Sequence, residues 1–317
     1  QSTNLITYPL SFGSNYWTKS GASIEGDSST SGVEKVVNGD FATDSDWTKQ
    51  SSWTISGGSA TYDFVSDSNY LRQTLLDGGF VLGKTYKIDF EITSGTAYIN
   101  INSNGGLLVS ADTYGVGSHS VQAYASGNGN DILIYGRNTQ GTAFSIDNVS
   151  VKEVQGFSAP SVDNPTSAFK LVATSTVQPR IEKSFSVPLS NKTYTFSCYV
   201  KKGNTPYIAM SRFSGGQNVI FNLDTESITS QTCDDAKIKN LGNGWFRISM
   251  TNLVQSTDSN NIWKVHLTDG VSYAQGNIGS ELHLFGAQLE EQSLATSLML
   301  PAVEGSTVTR VAETASK

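Results

Sequence analysis

The chain has 317 residues, enough for two domains that each bury a core of their own. Only 15% of residues are charged, against about 25% in an average soluble protein, and Ser, Thr, Asn and Gly make up the difference. A net charge of −7 with no run of Lys or Arg excludes a nucleic-acid partner, and the lack of any apolar stretch of about eighteen residues excludes insertion into a membrane by a spanning helix.

A surface kept soluble by neutral polar groups is common in secreted adhesins, lectin-like modules and viral appendages. The start at Gln1, without Met or a signal-peptide pattern, is expected of a chain processed or excised from a longer one. Taken in order, the chain opens with a strand region over residues 4–25 that carries the word NYWTKSGASIE around Trp17. A second opening follows at Val36, with SDWTKQSSWTIS around Trp47. Period-two alternation, the mark of half-buried strands, then recurs at Tyr70–Leu75, Lys87–Ile92, Ala97–Asn102 and Asp131–Arg137. It returns at Thr193–Lys201 and Phe246–Thr251, with turns rich in Gly, Asn and Asp between. No helical stripe is sustained anywhere. Many short strands predict an all-β chain of jelly-roll-like antiparallel sandwiches.

The words come in pairs, and both series run in one order. Gly83–Lys84–Thr85–Tyr86 before KIDFEI matches Asn191–Lys192–Thr193–Tyr194 before TFSCYV. TAYININ at 96–102 matches TPYIAMS at 205–211, and NDILIYGR from Asn130 matches NIWKVHLT from Asn261. AFSIDNVSVKEV from Ala143 matches ELHLFGAQLEEQ from Glu281. One copy starts earlier and ends later than the other, which predicts one sandwich inserted into a loop of its sibling. The expected division is 1–33 with 156–300 for the outer domain, 34–155 for the inserted one, and 301–317 as a tail or linker. Of the two cysteines, Cys198 falls in the apolar register of its strand, which favours a buried free thiol; a Cys198–Cys233 bridge stays open.

The inner words Asn38–Gly39–Asp40–Phe41, Trp47, Gly83–Lys84–Thr85–Tyr86 and Ile146–Asp147–Asn148–Val149–Ser150–Val151 resemble carbohydrate-binding modules of the CBM4/9/22 type over residues 36–154. That resemblance implies a structural Ca2+ where first and last strands meet, with Asp40 and Asp147 as ligands and backbone carbonyls completing the oxygen shell. Ala42 departs from the acidic residue the family commonly has there. As turn and strand-end acceptors, the same two aspartates need no ion.

The outer words resemble a domain of phage tail, spike and head-fibre proteins. They are Asn4–Leu5–Ile6–Thr7–Tyr8 with Trp17–Thr18–Lys19, Tyr194–Thr195–Phe196–Ser197 with Val200–Lys201–Lys202–Gly203, Gly242–Asn243–Gly244–Trp245–Phe246–Arg247, Phe285–Gly286–Ala287–Gln288–Leu289–Glu290 and Glu304–Gly305–Ser306–Thr307–Val308–Thr309–Arg310. The resemblance implies a β-rich virion appendage, often trimeric, with other virion proteins as partners. Thr296–Ser297–Leu298–Met299–Leu300–Pro301 departs from that family's usual TSYIPT.

Catalysis is not expected. His119, His266 and His283 fall on separate predicted strands, and no G-x-S-x-G elbow or P-loop is present. The pairs Asp234–Asp235 and Glu290–Glu291 point to opposite faces as strand neighbours, so they read as a loop and a solvated strand end. A glycan needs aromatic faces beside amide, carboxylate and guanidinium groups. With Leu71, Leu75, Ile99, Ile101, Ile132 and Ile134 facing the core, one outward face of the inner domain collects Tyr70, Arg72, Tyr98, Asn100, Asn102, Tyr135 and Arg137. A weaker outward set in the outer domain is Tyr199, Arg247, Lys264 and His266, while Trp17, Trp53, Trp245 and Trp263 read as packing residues. Three readings compete: a glycan-binding appendage on a virion surface, the binding portion of a secreted bacterial polysaccharide-degrading enzyme, and a structural or oligomerisation unit without ligand.

Overall fold

A computed structural model describes residues 2–310 apart from 28–30, 105, 107, 162, 165, 186–190, 213–215, 257, 259–260 and 302–303. The described residues are all-β, with no α-helix among them, and every strand pairing is antiparallel. The chain divides into two compact units, Gln1–Asp27 with Gly156–Lys317, and Ser28–Gln155. The polar segments 28–32 (SSTSG) and 156–165 (GFSAPSVDNP), whose composition suits crossings between domains, fall partly outside the described residues.

In the inner unit, one sheet runs Leu108–Tyr114, Ala97–Asn102, Asp131–Gly136, Asn69–Thr74, Thr48–Lys49. The other runs Gly117–Tyr124, Thr85–Ser94, Phe144–Val154, Ser59–Tyr62, Trp53–Ser56, with Ser31–Glu34 also paired to Phe144–Val154. The sheets meet in a single core to which alternate residues of both contribute. Tyr86, Ile88, Phe90 and Ile92 come from one, and Leu71, Ile99, Ile101, Ile132 and Ile134 from the other. Each such side chain contributes about 1.5–3 kcal/mol by leaving water. Because Ser31–Glu34 belongs to these sheets, the inner unit begins earlier than the expected residue 34.

The outer unit repeats both strand orders. Trp245–Val254, Lys192–Lys202, Glu281–Glu290, Phe169–Ala173 and Ala22–Glu25 follow one another in one sheet, with Asp235–Gly242 added at its edge. Asn218–Asn222, Tyr207–Arg212, Ile262–Leu267, Arg180–Ser184 and Thr18–Ser20 follow in the other, with Ser227–Gln231 added. The paired words of the sequence lie on corresponding strands. Both closing strands carry a bulge at the same place: Asn148 (φ 52°) and Gly286 (φ 59°) are left-handed. Each bulge shifts the inward register, from Ile146 to Val149 and Val151, and from Leu284 to Ala287 and Leu289.

Correspondence also locates the insertion. In the inner unit, Trp53–Ser56 turns into Ser59–Tyr62 through Gly57–Gly58, both at positive φ (62° and 77°), as a two-residue hairpin turn requires. The corresponding outer strands, Ala22–Glu25 and Phe169–Ala173, pair from Ala22↔Ala173 to Glu25↔Lys170. The whole inner unit stands where its own copy of that hairpin has two glycines.

Three expectations are corrected here. The segment 301–317 is not simply a tail, since Val308–Arg310 pairs with Ser2–Asn4, and Met299 is 3% exposed. Residues 311–317 lie outside the described residues. Glu290 is not a solvated strand end: it is fully buried and accepts hydrogen bonds from Thr296 N (3.0 Å), Thr296 Oγ1 (2.6 Å), Gln292 Nε2 (2.7 Å) and Ser2 Oγ. Asp235 is in a strand rather than a loop. Both cysteines are free and buried, and burial pushes their thiols up, that of Cys233 to about 11. All five tryptophans are buried.

Asn4 joins the ends of the outer unit. Its Nδ2 donates to Ala287 O (3.3 Å) and Met299 O (3.1 Å), and its Oδ1 accepts from Ile6 N (3.0 Å) and Leu289 N (3.1 Å). Replacing it with Ala strands buried backbone groups, so Asn4→Ala should cost about 2–3 kcal/mol in denaturant unfolding of the outer unit. An unchanged midpoint would show that water meets those groups instead.

Candidate functional site

The three inner strands that carry the predicted ligand face are neighbours. Across them Asn100 stands opposite Tyr135 and Tyr135 opposite Tyr70, while Asn102 stands opposite Leu133 and Leu133 opposite Arg72. Tyr98 and Arg137 complete a third row, with Arg137 N donating to Tyr98 O (3.0 Å). All seven side chains lie on the face turned away from the core, and all are half-buried. Their in-sequence neighbours Leu71, Ile99, Ile101, Ile132 and Ile134 are at most 1% exposed.

The face is preorganised. Tyr70 and Tyr135 meet edge to face, ring centroids 5.7 Å apart at 73°, a favoured aromatic geometry. Arg72 Nη2 reaches Asp131 Oδ2 at 2.7 Å, and Asp131, 5% exposed, also accepts from Thr74 Oγ1 (2.8 Å) and Asn104 Nδ2 (3.3 Å). Arg137 Nε reaches Asp67 Oδ1 at 3.0 Å and its Nη1 donates to Asn100 Oδ1 (3.4 Å). That hydrogen bond from Arg137 holds the Asp67 carboxyl below the usual range. Asn102 Oδ1 accepts from Ser103 N at 2.7 Å. The two arginines and the two asparagines are thus each fixed by a neighbour while keeping spare hydrogen-bonding capacity.

Sequence reasoning missed Asp131, Asp67, Thr74 and Gln50, whose Oε1 accepts from Tyr70 N at 2.9 Å. The alternating pattern assigns a side chain to a face but says nothing of its partner across strands. Beside Arg72, at the sheet edge, lies a cavity of about 470 Å³ lined by Val37, Asp46, Thr48, Arg72, Gln73, Thr74 and Leu76.

The two aspartates expected to hold Ca2+ lie within electrostatic range of each other. Asp147 is in electrostatic reach of Asp40 and Glu91, and its carboxyl is raised by burial, with those two negative charges adding to the effect. Asp147 Oδ1 accepts from Asn148 N (2.6 Å), and Asp40 Oδ1 from Ala42 N (3.4 Å). Among the described residues no three His, Cys, Asp or Glu side chains converge as a metal-holding group.

The corresponding outer face is built differently. Here His266 takes the place of Tyr135, Ala209 of Asn100 and Ser211 of Asn102. The expectation that His266 and Lys264 face outward into solvent is corrected: they point away from the core yet are 0% and 7% exposed. The loop after Ile262–Leu267 covers His266, while Lys264 lies beside Glu182, Nζ to Oε2 3.6 Å. Tyr273 packs edge-on against His266, centroids 5.6 Å apart. Gly270 (φ 87°) lies so close to Tyr207 that a Cβ would sit 2.7 Å from the ring. Arg247 and Tyr199 are half-buried and stack cation on ring at 5.3 Å.

His266 Nε2 is 2.7 Å from Ser211 Oγ, a nucleophile–base distance. Both residues are buried, however, and His266 Nδ1 meets no partner among the described residues, so no carboxylate orients the ring. Nor do the three histidines meet: His119 packs on Phe90 and Tyr114, and His283 on Phe157.

No family model matches the chain, and no curated protein matches it by sequence. Among solved structures it is similar to the CBM22-1–CBM22-2 tandem domain from Paenibacillus barcinonensis Xyn10C. They are 12% identical over 84% of this chain and 98% of that one, with a TM-score of 0.34. It is also similar to a candidate secreted protein from Parabacteroides distasonis ATCC 8503, at 10% identity over 92% of this chain and 99% of that one, with a TM-score of 0.20. Likenesses at these scores leave function to be read from the chain's own residues.

Burial, reinforced by the positive charges of Arg180 and Lys264, lowers His266 to about 3. The unfolded chain takes up that proton near 6.5, so the stability tied to the neutral ring is complete above 6.5. It is lost as pH falls from there toward 3, with a limiting slope of about 1.4 kcal/mol per pH unit. Chemical denaturation between pH 7 and 5 should show this loss in the outer unit, and His266→Gln should flatten it; equal slopes would mean that the ring is solvated.

Proposed function

We propose that this chain is a non-catalytic glycan-binding protein and that the inner unit holds its ligand across Tyr70, Arg72, Tyr98, Asn100, Asn102, Tyr135 and Arg137. The supporting observation is the contrast between two corresponding faces. In the inner unit it is aromatic, amide-bearing and open; in the outer unit the same place is roofed by the 268–280 loop. Sugar rings stack their C–H faces on tyrosine and present hydroxyls to fixed amides and guanidinium groups, which this geometry supplies. Within the same reading, Asp40 and Asp147 bind Ca2+, a hard cation that suits oxygen ligands and relieves the crowding of negative charge around Asp147.

In its fuller form the proposal places the chain on a virion surface, as part of a tail fibre, head fibre or spike with other virion proteins and a trimeric assembly. Its support is the set of outer words from Asn4 to Arg310. A secreted, extracellular setting as the binding portion of a polysaccharide-degrading enzyme suits the same face. The genes beside this one, capsid and tail genes or polysaccharide-utilisation genes, separate the two.

A glycan array followed by calorimetry tests the face. Tyr98→Ala and Tyr135→Ala should each weaken binding about ten- to a hundred-fold, the loss of roughly 1.4–2.8 kcal/mol, without lowering the melting temperature of the outer unit. Variants that stay folded and bind like the parent protein, or a parent that binds no glycan, would refute the assignment. For the ion, added Ca2+ should raise the melting temperature of the inner unit, and Asp147→Asn should abolish that response. Equal melting in Ca2+ and in chelator would remove the ion from the proposal.

A further inference from the structure

The cavity beside Arg72 is a second, chemically distinct feature of the inner unit. Thr48 stands opposite Arg72 across the edge pairing. Arg72 follows Tyr70 by two residues on one strand, a distance on the order of 7 Å, so the cavity adjoins the tyrosine platform. One side of it is apolar: Val37 and Leu76 are 39% and 46% exposed there. Both are held in place rather than loose. Gln73, 3% exposed, donates from Nε2 to Val37 O (2.6 Å) and accepts Val37 N at Oε1 (2.9 Å), and Leu76 N donates to Lys35 O (2.9 Å). The other side is polar, with the Asp46 carboxylate, the hydroxyls of Thr48 and Thr74, and the Arg72 guanidinium clamped by Asp131.

We propose that this cavity is a subsite for the acetamido group of an N-acetylhexosamine, borne by a glycan whose chain lies on the tyrosine platform. The inference rests on the glycan-binding face proposed above and adds the class of sugar. An acetamido group offers one N–H donor, one carbonyl acceptor and one methyl. The cavity offers a carboxylate acceptor in Asp46, donors in Arg72 and Thr48, and an apolar wall in Val37 and Leu76 for the methyl, while the Thr74 hydroxyl already donates to Asp131. Other substituents match less of it. A free ammonium would satisfy Asp46 but would leave the apolar wall of Val37 and Leu76 uncovered. A sulfate or uronate would face Asp46, with Arg72 already paired to Asp131. A plain hydroxyl would leave Val37 and Leu76 uncovered.

The test is calorimetry on the full chain with tetrasaccharides of N-acetylglucosamine and N-acetylgalactosamine, each against its de-N-acetylated form and the corresponding glucose or galactose tetramer. At least one acetylated tetramer should bind about tenfold or more tightly than both of its counterparts. Leu76→Asp and Val37→Asp, both at exposed positions, should bring that ratio close to one while leaving the weaker binding of the unsubstituted tetramer in place. Equal or tighter binding of the unsubstituted or de-N-acetylated forms overturns the acetamido subsite and leaves the tyrosine face standing. So does a preference that survives both substitutions. Binding of no saccharide in any form overturns the face and the subsite together.

Discussion

The side of the inner sheet that Ile99, Ile101, Ile132, Ile134 and Leu71 occupy governs everything built on its other side. These five are sealed in the core, and a strand's side chains alternate faces with a period of two. Slipping any of the three strands by one residue would bury tyrosines, asparagines and arginines and expose the isoleucines. The lost apolar burial, about 1.5–3 kcal/mol per side chain, together with the desolvation of the polar groups turned inward, is comparable to the whole stability of a domain this size. Outward presentation of the Tyr, Asn and Arg set is therefore a consequence of core packing, and needs no separate device to hold it.

The two units show what the same architecture does when the layer above the sheet differs. Strand order, closing bulge and inward register are shared. In the outer unit the 268–280 loop, the N-terminal strand and the 296–310 segment lay further chain over both sheets. Beneath them lie His266, Gln288 and Glu290, buried polar groups bound into local networks. Where the inner unit has Arg137 leading into a short turn, its sheet stays uncovered. One copy spends its outer surfaces on fastening chain ends, and the other keeps a surface for solvent and ligand.

Much of this was legible before any coordinates. Alternation alone gives the all-β class and assigns each strand residue to an inner or outer face, because both follow from local periodicity. What alternation does not encode is a second layer. His266 has the correct side but the wrong environment, since its cover comes from Tyr273 in an irregular loop with no period to read. Glu290 looks like a solvated end until Thr296 and Ser2 fold back on it. The carboxylates that clamp Arg72 and Arg137 were hidden for a related reason. Asp131 and Asp67 are distant in sequence from the arginines they hold: neighbouring strands bring Asp131 to Arg72, and the turn before Asn69–Thr74 brings Asp67 to Arg137. The edge cavity is a matter of shape, produced by Val37 and Leu76 from segments flanking the sheet.

The hairpin that hosts the insertion has a consequence for how the chain assembles. Glu25 and Lys170 must meet across all of the inner unit's length, a long loop to close from a random coil. Within the inner unit, though, Ser31 pairs with Val154, so its own folding draws the two connecting segments side by side. Each halving of the effective loop then spares the outer hairpin about 0.6 kcal/mol of closure entropy. A guest that closes first thus eases the pairing of Ala22–Glu25 with Phe169–Ala173, the two strands it separates in sequence.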